Sequence, residues 1–323
     1  MRRGAGALLA VGALLGLALQ TTPASADSGG AAAGSAIPKA AQERAAGQWT
    51  AERMREATPL DELTGIGARA LDRAGQAVPR GKELKIPPLD TDAVTKALPE
   101  PGGAWSGGGD VVNTTGRVFF KMGGRDASCS GDAVTSDNGS TVITAGHCVK
   151  YQGAWHTDWV FVPGYHDGQA PHGKWTASKT LTTPQWESSE DMNFDVGAAV
   201  VNPLDGKKLT DVVGGQGLSF NADYNTEMYS FGFPAADPYD GEKLIYCSGT
   251  TFQDVLLTKD HGLSCNMTGG SSGGPWFTEF DEGTGKGLQS SVNSFGYTFL
   301  PDTMFGPYFG EDAKKLYETA QAG

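Results

Sequence analysis

A sharp change in composition near residue 109 limits where a packed core can form. All four cysteines, all five histidines and every phenylalanine of the 323-residue chain lie in residues 110–323. Residues 27–109 are rich in Ala and hold two tracts of structure-breaking residues, 85–88 and 99–103. The folded domain is therefore predicted at 110–323. The preceding 27–109 is interpreted as a prosegment or linker, with simple disorder as the alternative.

Residues 110–323 contain many short strand-like runs, which are separated by turn-forming Gly, Pro and Asn-Gly residues. The strands predicted from these runs are 117–121, 129–134, 141–144, 159–162, 196–201, 228–233 and 288–295. One helix is predicted near the C-terminus, where Ala313, Leu316, Tyr317 and Ala320 recur at helical spacing. This pattern favours an all-β barrel or sandwich with a terminal helix.

The first 26 residues have the three-part layout of a secretory signal peptide. Arg2 and Arg3 precede an apolar run from Ala7 to Leu19, and Ala24-Ser25-Ala26 supplies a cleavage site of small residues. The apolar run is shorter than the ~20 residues that span a bilayer, which disfavours a membrane anchor. We therefore expect a secreted, extracellular protein with no membrane partner after cleavage, in an environment where disulfides persist.

The charge of the chain excludes one class of partner. Residues 110–323 contain 13 basic and 26 acidic residues, a net charge of −13, and the whole chain has a net charge of −12. A protein that binds phosphate backbones needs the opposite sign, so nucleic acid is not expected as a partner. The sequence contains no H-E-x-x-H motif, and we expect neither a metal nor an organic cofactor.

Three short stretches contain residues suited to catalysis. His147 directly follows an apolar strand, and an imidazole is a general base near neutral pH. Asp195 opens an apolar run, as expected of a buried carboxylate that orients a histidine. Ser272 lies among glycines that let backbone N–H groups approach a reacting carbonyl oxygen. Taken alone, each of these residues could have a purely structural role. Their order along the chain, His, Asp and then Ser, is one in which catalytic triads occur.

Together the motifs resemble those of the chymotrypsin-like serine proteases. The resemblance covers about residues 110–323, and the segments 117–120 and 291–297 are similar to the secreted bacterial branch around the glutamyl endopeptidases. It implies two six-stranded antiparallel β-barrels with a C-terminal helix. It also implies a serine endopeptidase that acts on protein or peptide substrates, and we expect a monomer.

The resemblance further implies roles for individual residues. Ser272 would be the nucleophile, His147 the general base and then the general acid, and Asp195 the residue that orients the imidazole. The backbone N–H groups of Gly270 and Ser272 would form the oxyanion hole. Asp191 competes with Asp195 for the orienting role, but no apolar run directly follows it.

The four cysteines allow three disulfide connectivities from sequence alone. The resemblance implies a bridge between Cys129 and Cys148, since the family commonly links these two positions. Cys247 and Cys265 then remain to pair, which would close a loop just before Ser272.

The residues predicted for the substrate pocket do not match those expected for cleavage after Arg or Lys, or for cleavage after Glu. Its base is predicted at Asn266, Met267 and Thr268, and Ser294 and Phe295 are predicted to line it. This set contains no Asp that would bind Arg or Lys. It also lacks the His expected in a glutamate-binding pocket. The residue preference is therefore open.

Two functions other than a protease also fit parts of the sequence. The stretch from Gly270 to Gly274 also satisfies the G-x-S-x-G elbow of lipases and esterases, but that fold needs a His after the Ser. All five histidines precede Ser272, so the esterase fold is excluded. The second rival is a catalytically inactive protease-fold binding module, and the presence of all three triad residues argues against it.

Overall fold

A computed structural model of the chain describes Met1 and residues 32–66, 77–89 and 99–323. The predicted signal peptide at 1–26 therefore lies outside the described residues, apart from Met1. Within the described ranges, no helix has both the length and the apolar character needed to cross a membrane.

The described residues form short helices and many short strands. The helices are α1 Lys39–Gln48, α2 Ala51–Glu56, α3 Leu60–Thr64, α4 Val111–Thr114, α5 Pro184–Ser189, α6 Leu209–Val213 and α7 Glu311–Gln321. The strands up to the middle of the chain are β1 Ala33–Ala36, β2 Thr58–Pro59, β3 Leu84–Ile86, β4 Glu100–Ala104, β5 Thr115–Met122, β6 Arg125–Ala133, β7 Thr141–Thr144, β8 Lys150–Tyr151, β9 Ala154–Trp155, β10 Thr157–Pro163, β11 Trp175–Thr182 and β12 Gly197–Val201. The later strands are β13 Gly217–Phe220, β14 Glu227–Gly232, β15 Ile245–Thr250, β16 Phe252–Gln253, β17 His261–Ser264, β18 Pro275–Asp281, β19 Lys286–Val292 and β20 Thr303–Gly306.

The first half of the domain closes into a six-stranded antiparallel barrel. Its strands follow the order β11-β10-β5-β6-β7-β12, and β12 pairs back with β11 to complete the ring. The inward side chains form a fully buried core that includes Val118, Phe120, Trp159, Phe161 and Leu181. Closure leaves the ring without a free edge, so its strands hold the site loops at fixed positions.

The second half is built on a sheet with the strand order β3-β13-β19-β18-β14-β15-β4, beside a three-stranded sheet β16-β17-β20. Among its buried aromatic side chains, Phe231 and Phe277 belong to one apolar cluster and Trp276 to another. In the described residues this sheet does not pair back on itself, and its β13–β19 contact is parallel. The predicted all-β, chymotrypsin-like fold is confirmed, with the second half more open than the first.

The C-terminal helix is also confirmed. In α7 the four residues predicted at helical spacing, Ala313, Leu316, Tyr317 and Ala320, are all buried. Acidic residues lie in its first turn, where the helix dipole favours negative charge. The helix packs against strands of the first barrel.

The N-terminal segment is not a free linker, because its described parts pair with strands of both halves. β1 pairs with β11, β2 pairs in parallel with β6, β3 pairs with β13, and β4 pairs with β15. Trp49 is fully buried against Phe119 at 5.5 Å between ring centroids, and its Nε1 donates to the Asp158 carbonyl. Arg53 makes a bidentate ion pair with Asp126, with its closest contact at 2.6 Å. The disorder alternative is therefore wrong for the described parts.

Two disulfides join elements near the loops that carry His147 and Ser272. Cys129 is bonded to Cys148 and Cys247 to Cys265, which is the pairing that the resemblance implied. The first bridge ties the turn after β7 to β6, and the second ties β15 to the residues that follow β17.

Candidate active site

The pairing of β7 with β12 brings His147 and Asp195 together. Thr144 at the end of β7 lies opposite Gly197 at the start of β12, so the residues just beyond these strand ends are neighbours. Nδ1 of His147 lies 2.6 Å from Oδ2 of Asp195, and the backbone N–H of His147 donates to Oδ1 at 2.8 Å. A Cβ at Gly146 would lie 2.9 Å from Oδ1 of Asp195, so glycine there permits this approach. The carboxylate thus fixes both the ring and the backbone of His147.

Asp195 is fully buried and holds a third hydrogen bond. The hydroxyl of Ser294 donates to its Oδ2 at 2.5 Å. Asp191, the competitor identified in the sequence, accepts instead from the backbone N–H and the side-chain amide of Asn193. The structure therefore brings Asp195 to the histidine.

The loop before β18 carries Ser272 and is held by hydrogen bonds on both sides. Ser130 in β6 donates its backbone N–H to the Ser272 carbonyl at 2.7 Å and its hydroxyl to the Gly270 carbonyl at 2.9 Å. On the other side, Nδ2 of the fully buried Asn293 donates to the Ser271 carbonyl at 3.1 Å. These bonds fix the backbone around Ser272, as a preorganised site requires.

The histidine loop and the serine loop are packed against each other. The sulfur of Cys148, the residue after His147, lies 3.6 Å from the Ser272 carbonyl oxygen. Gly273 has a positive φ of 82°, and a Cβ there would lie 2.1 Å from Oγ1 of Thr144. Only glycine fits this position, because it combines the left-handed backbone with a contact that leaves no room for a side chain.

A carboxylate from the N-terminal segment occupies the serine site. Asp61, in α3, accepts from the hydroxyl of Ser272 at 3.0 Å through Oδ1 and from the backbone N–H of Gly270 at 3.0 Å through Oδ2. Nε2 of His147 is buried and has no hydrogen-bond partner among the described residues. The hydroxyl proton of Ser272 is thus directed to Asp61 and not to His147.

Electrostatics at the histidine reflect both carboxylates. Burial lowers the pKa of His147, but the charge and hydrogen bond of Asp195 raise it, with a smaller contribution from the charge of Asp61. The net result is a pKa above the ordinary value of 6.5. Charge on the imidazolium is therefore stabilised by the site, which is what a base that takes up a proton needs.

A cavity of about 350 Å³ lies beside Ser272. All five residues predicted for the pocket line it, namely Asn266, Met267, Thr268, Ser294 and Phe295. Tyr297 and Met304 extend its apolar wall. Ile66 and Asp61 from the N-terminal segment also line it, so the segment closes one side.

Sequence reasoning missed two residues at the site, Asn293 and Asp61, and it missed the hydrogen bond that Ser294 makes with Asp195. Asn293 and Ser294 act through hydrogen bonds whose partners are distant in sequence, although Ser294 was placed in the pocket. Asp61 lies in a charged, Pro-containing stretch that carries no motif. Its position becomes evident only when β2 pairs with β6.

The chain is similar to solved proteases over about two thirds of its length. It is 47% identical to the protease Anisep from Arthrobacter nicotinovorans, covering 66% of this chain and 98% of that one, with a TM-score of 0.63. It is 39% identical to the thermostable serine protease AL20 from an extremophilic microorganism, covering 66% and 99%, with a TM-score of 0.62. A Glu endopeptidase at 16% identity and a TM-score of 0.53, covering 66% and 92%, shares the fold.

Other comparisons add less. No family model matches the chain. A curated relative named an extracellular metalloprotease, from Bacillus subtilis strain 168, is 34% identical over 82 residues, and the match spans 25% of each protein. In the described residues, a group of potential metal donors comprises Cys129, His147 and Cys148, but both sulfurs are held in a disulfide. The identity to Anisep over nearly all of that protein shows the family: this chain belongs to the chymotrypsin-like serine proteases and is a serine-type endopeptidase.

Proposed function

We propose that the chain is a secreted serine endopeptidase, made as a precursor, that hydrolyses peptide bonds through an acyl-enzyme on Ser272. The observation that carries the proposal is the buried 2.6 Å contact between Asp195 and Nδ1 of His147, which leaves Nε2 available beside the serine loop. In this assignment Asp195 orients the imidazole and stabilises it once it is protonated.

The proposed reaction begins when Ser272 Oγ forms a bond to the carbonyl carbon of the substrate. Its proton passes to Nε2 of His147, and the peptide C–N bond then breaks as His147 gives that proton to the leaving amine. Water next attacks the acyl carbon and gives a proton to His147. The bond to Oγ breaks, the acid product leaves, and the proton returns to Ser272.

The proposed oxyanion hole is formed by the backbone N–H groups of Gly270 and Ser272. The contact of Gly270 with a carboxylate oxygen at 3.0 Å supports this assignment, because that oxygen is an anionic stand-in for the one that develops during reaction. The adjoining cavity would hold the side chain of the substrate residue whose carbonyl is attacked.

Two features support export and processing. The residues at 1–26 have the layout of a cleavable signal peptide, and the two disulfides suit an oxidising compartment. Residues 27–109 are proposed to be a prosegment and 110–323 the protease domain, with a processing point between residues 26 and 111.

The test is to treat the processed protein with a fluorophosphonate probe and to map the modified residue by mass spectrometry. We expect a single label on Ser272 and its loss in Ser272→Ala. Ser188→Ala, which alters an exposed serine of α5, is the control and should label like the wild type. A label on another residue, or equal labelling of Ser272→Ala, would overturn the assignment.

A further inference from the structure

We infer that residues 58–66 are a built-in inhibitor of this protease, and that the oxyanion hole is a carboxylate-binding site whose ligand is Asp61. The inference rests on the proposed function of Ser272. It goes beyond that function, because it assigns an inhibitory role to these residues. They occupy the active site without being cleaved as a substrate.

Asp61 occupies the groups that the proposed catalysis needs. One oxygen of its carboxylate accepts the Ser272 hydroxyl at 3.0 Å, and the other accepts the Gly270 N–H at 3.0 Å. A substrate carbonyl oxygen cannot occupy the same position. The nucleophile also loses its base, because Nε2 of His147 is left without a hydrogen-bond partner among the described residues.

The segment does not present a scissile bond to Ser272. The carbonyl of Asp61 accepts from the Gly65 N–H at 2.8 Å, and that of Leu60 accepts from the Thr64 hydroxyl at 3.0 Å. Both carbonyls are therefore held within the turn of α3. What reaches the serine is a side-chain carboxylate, which has no leaving group.

The segment is anchored to the first barrel on both sides of Asp61. Thr58 and Pro59 pair in parallel with β6, and Leu60 and Ile66 are buried in the barrel core. Just before this segment, in α2, the ion pair of Arg53 with Asp126 adds a further attachment. Because Asp61 is delivered by the same chain, its effective concentration at the site is high, and competing substrate is disfavoured.

The experiment compares the labelling rates of the wild type and its variants as intact full chains. Mass spectrometry distinguishes the intact chains from processed forms. A fluorophosphonate probe reports the reactivity of Ser272. Asp61→Ala is expected to label at least about tenfold faster than the wild type, since two hydrogen bonds to a charged group are removed. Asp61→Asn, which preserves shape, should be intermediate. Glu62→Ala removes the neighbouring exposed acid of the same helix and should label like the wild type.

The outcomes separate this inference from the proposed function. If the processed protein labels and the intact wild type labels as fast as Asp61→Ala, the inhibitor inference is overturned while the nucleophile stands. If Glu62→Ala accelerates labelling as much as Asp61→Ala does, the inference is also overturned, because the rate would then depend on the net charge of the helix and not on the contact of Asp61 with Ser272. If no form labels at Ser272, the proposed function fails and the inference fails with it.

Discussion

The carboxylate of Asp195 lies 2.6 Å from Nδ1 of His147, and both side chains are fully buried. This contact selects the tautomer that leaves Nε2 free to accept a proton. Asp195→Asn is therefore expected to lower kcat/KM of the processed enzyme by about 10³-fold or more, as loss of an orienting carboxylate does in related triads. Steady-state hydrolysis of a peptide substrate measures the effect.

Asp191→Asn is the matched control for that prediction. Asp191 accepts hydrogen bonds from Asn193, and an amide oxygen can accept them as well. Its kcat/KM should stay close to that of the wild type. A collapse of activity in Asp191→Asn with activity retained in Asp195→Asn would reverse the assignment.

The reactivity of Ser272 should depend on pH through His147. As the proposed base, His147 must be neutral, so labelling of Ser272 should rise with pH through the pKa of His147, which lies above 6.5 in the intact chain. Because the charge of Asp61 contributes to that elevated pKa, Asp61→Asn should move the midpoint of the rise to lower pH. Labelling rates measured across pH test this, with Glu62→Gln as a control that should leave the midpoint in place. An upward shift in Asp61→Asn would contradict the account.

A buried acid in the first barrel should limit stability at neutral pH. Burial raises the pKa of Asp132 to about 8, against hydrogen bonds from Thr114 and Thr115 that lower it. The folded state then binds a proton that the unfolded state releases between pH 3.8 and about 8, so stability falls as pH rises through that window. The slope expected from this one group is about 1.4 kcal/mol per pH unit.

Asp132→Asn removes that titration and keeps an acceptor for Thr115. We expect the variant to gain stability relative to the wild type as pH rises from 4 towards 8, with little difference near pH 4. Denaturant unfolding of both proteins across this range gives the free energies. A difference that does not grow with pH would show that Asp132 is ionised in the folded state.

We predict that the pocket disfavours a glutamate side chain. Its walls include Met267, Phe295, Tyr297 and Met304, and its lining contains no Lys, Arg or His. The carboxylate of Asp302 also lines it, so a glutamate side chain entering the pocket would meet a like charge and no cation. We expect the processed enzyme to cleave after Leu or Phe at least about tenfold more efficiently than after Glu, judged by kcat/KM on peptides that differ only at that residue. A preference for Glu would mean that a cation outside the described lining reaches the pocket.

Much of the structure of residues 110–323 could be predicted, because the sequence patterns that indicate it are local. The strand predicted at 141–144 matches β7, since a β-branched run is bounded by turn residues. His147 lies just after a strand, Asp195 just before one and Ser272 in a glycine-rich turn, and such positions are visible in sequence. The apolar spacing that predicted α7 also identifies the face that it buries.

The N-terminal segment could not be predicted, because its structure depends on distant partners. β4 consists of Glu-Pro-Gly-Gly-Ala, a poor strand former, and is extended because it pairs with β15. Asp61 contacts Ser272 from 211 positions away in sequence. Ser294 was predicted to line the cavity and does so, but its hydroxyl also bonds Asp195, which spacing alone does not indicate.

The most direct test of the account is digestion of a mixed peptide library by the processed protein, with Ser272→Ala in parallel and new termini identified by mass spectrometry. The account predicts internal cleavage by the wild type, enriched after uncharged residues, and no cleavage by Ser272→Ala. Absence of cleavage by a folded, processed wild type, or the same cleavage products from Ser272→Ala, would contradict it.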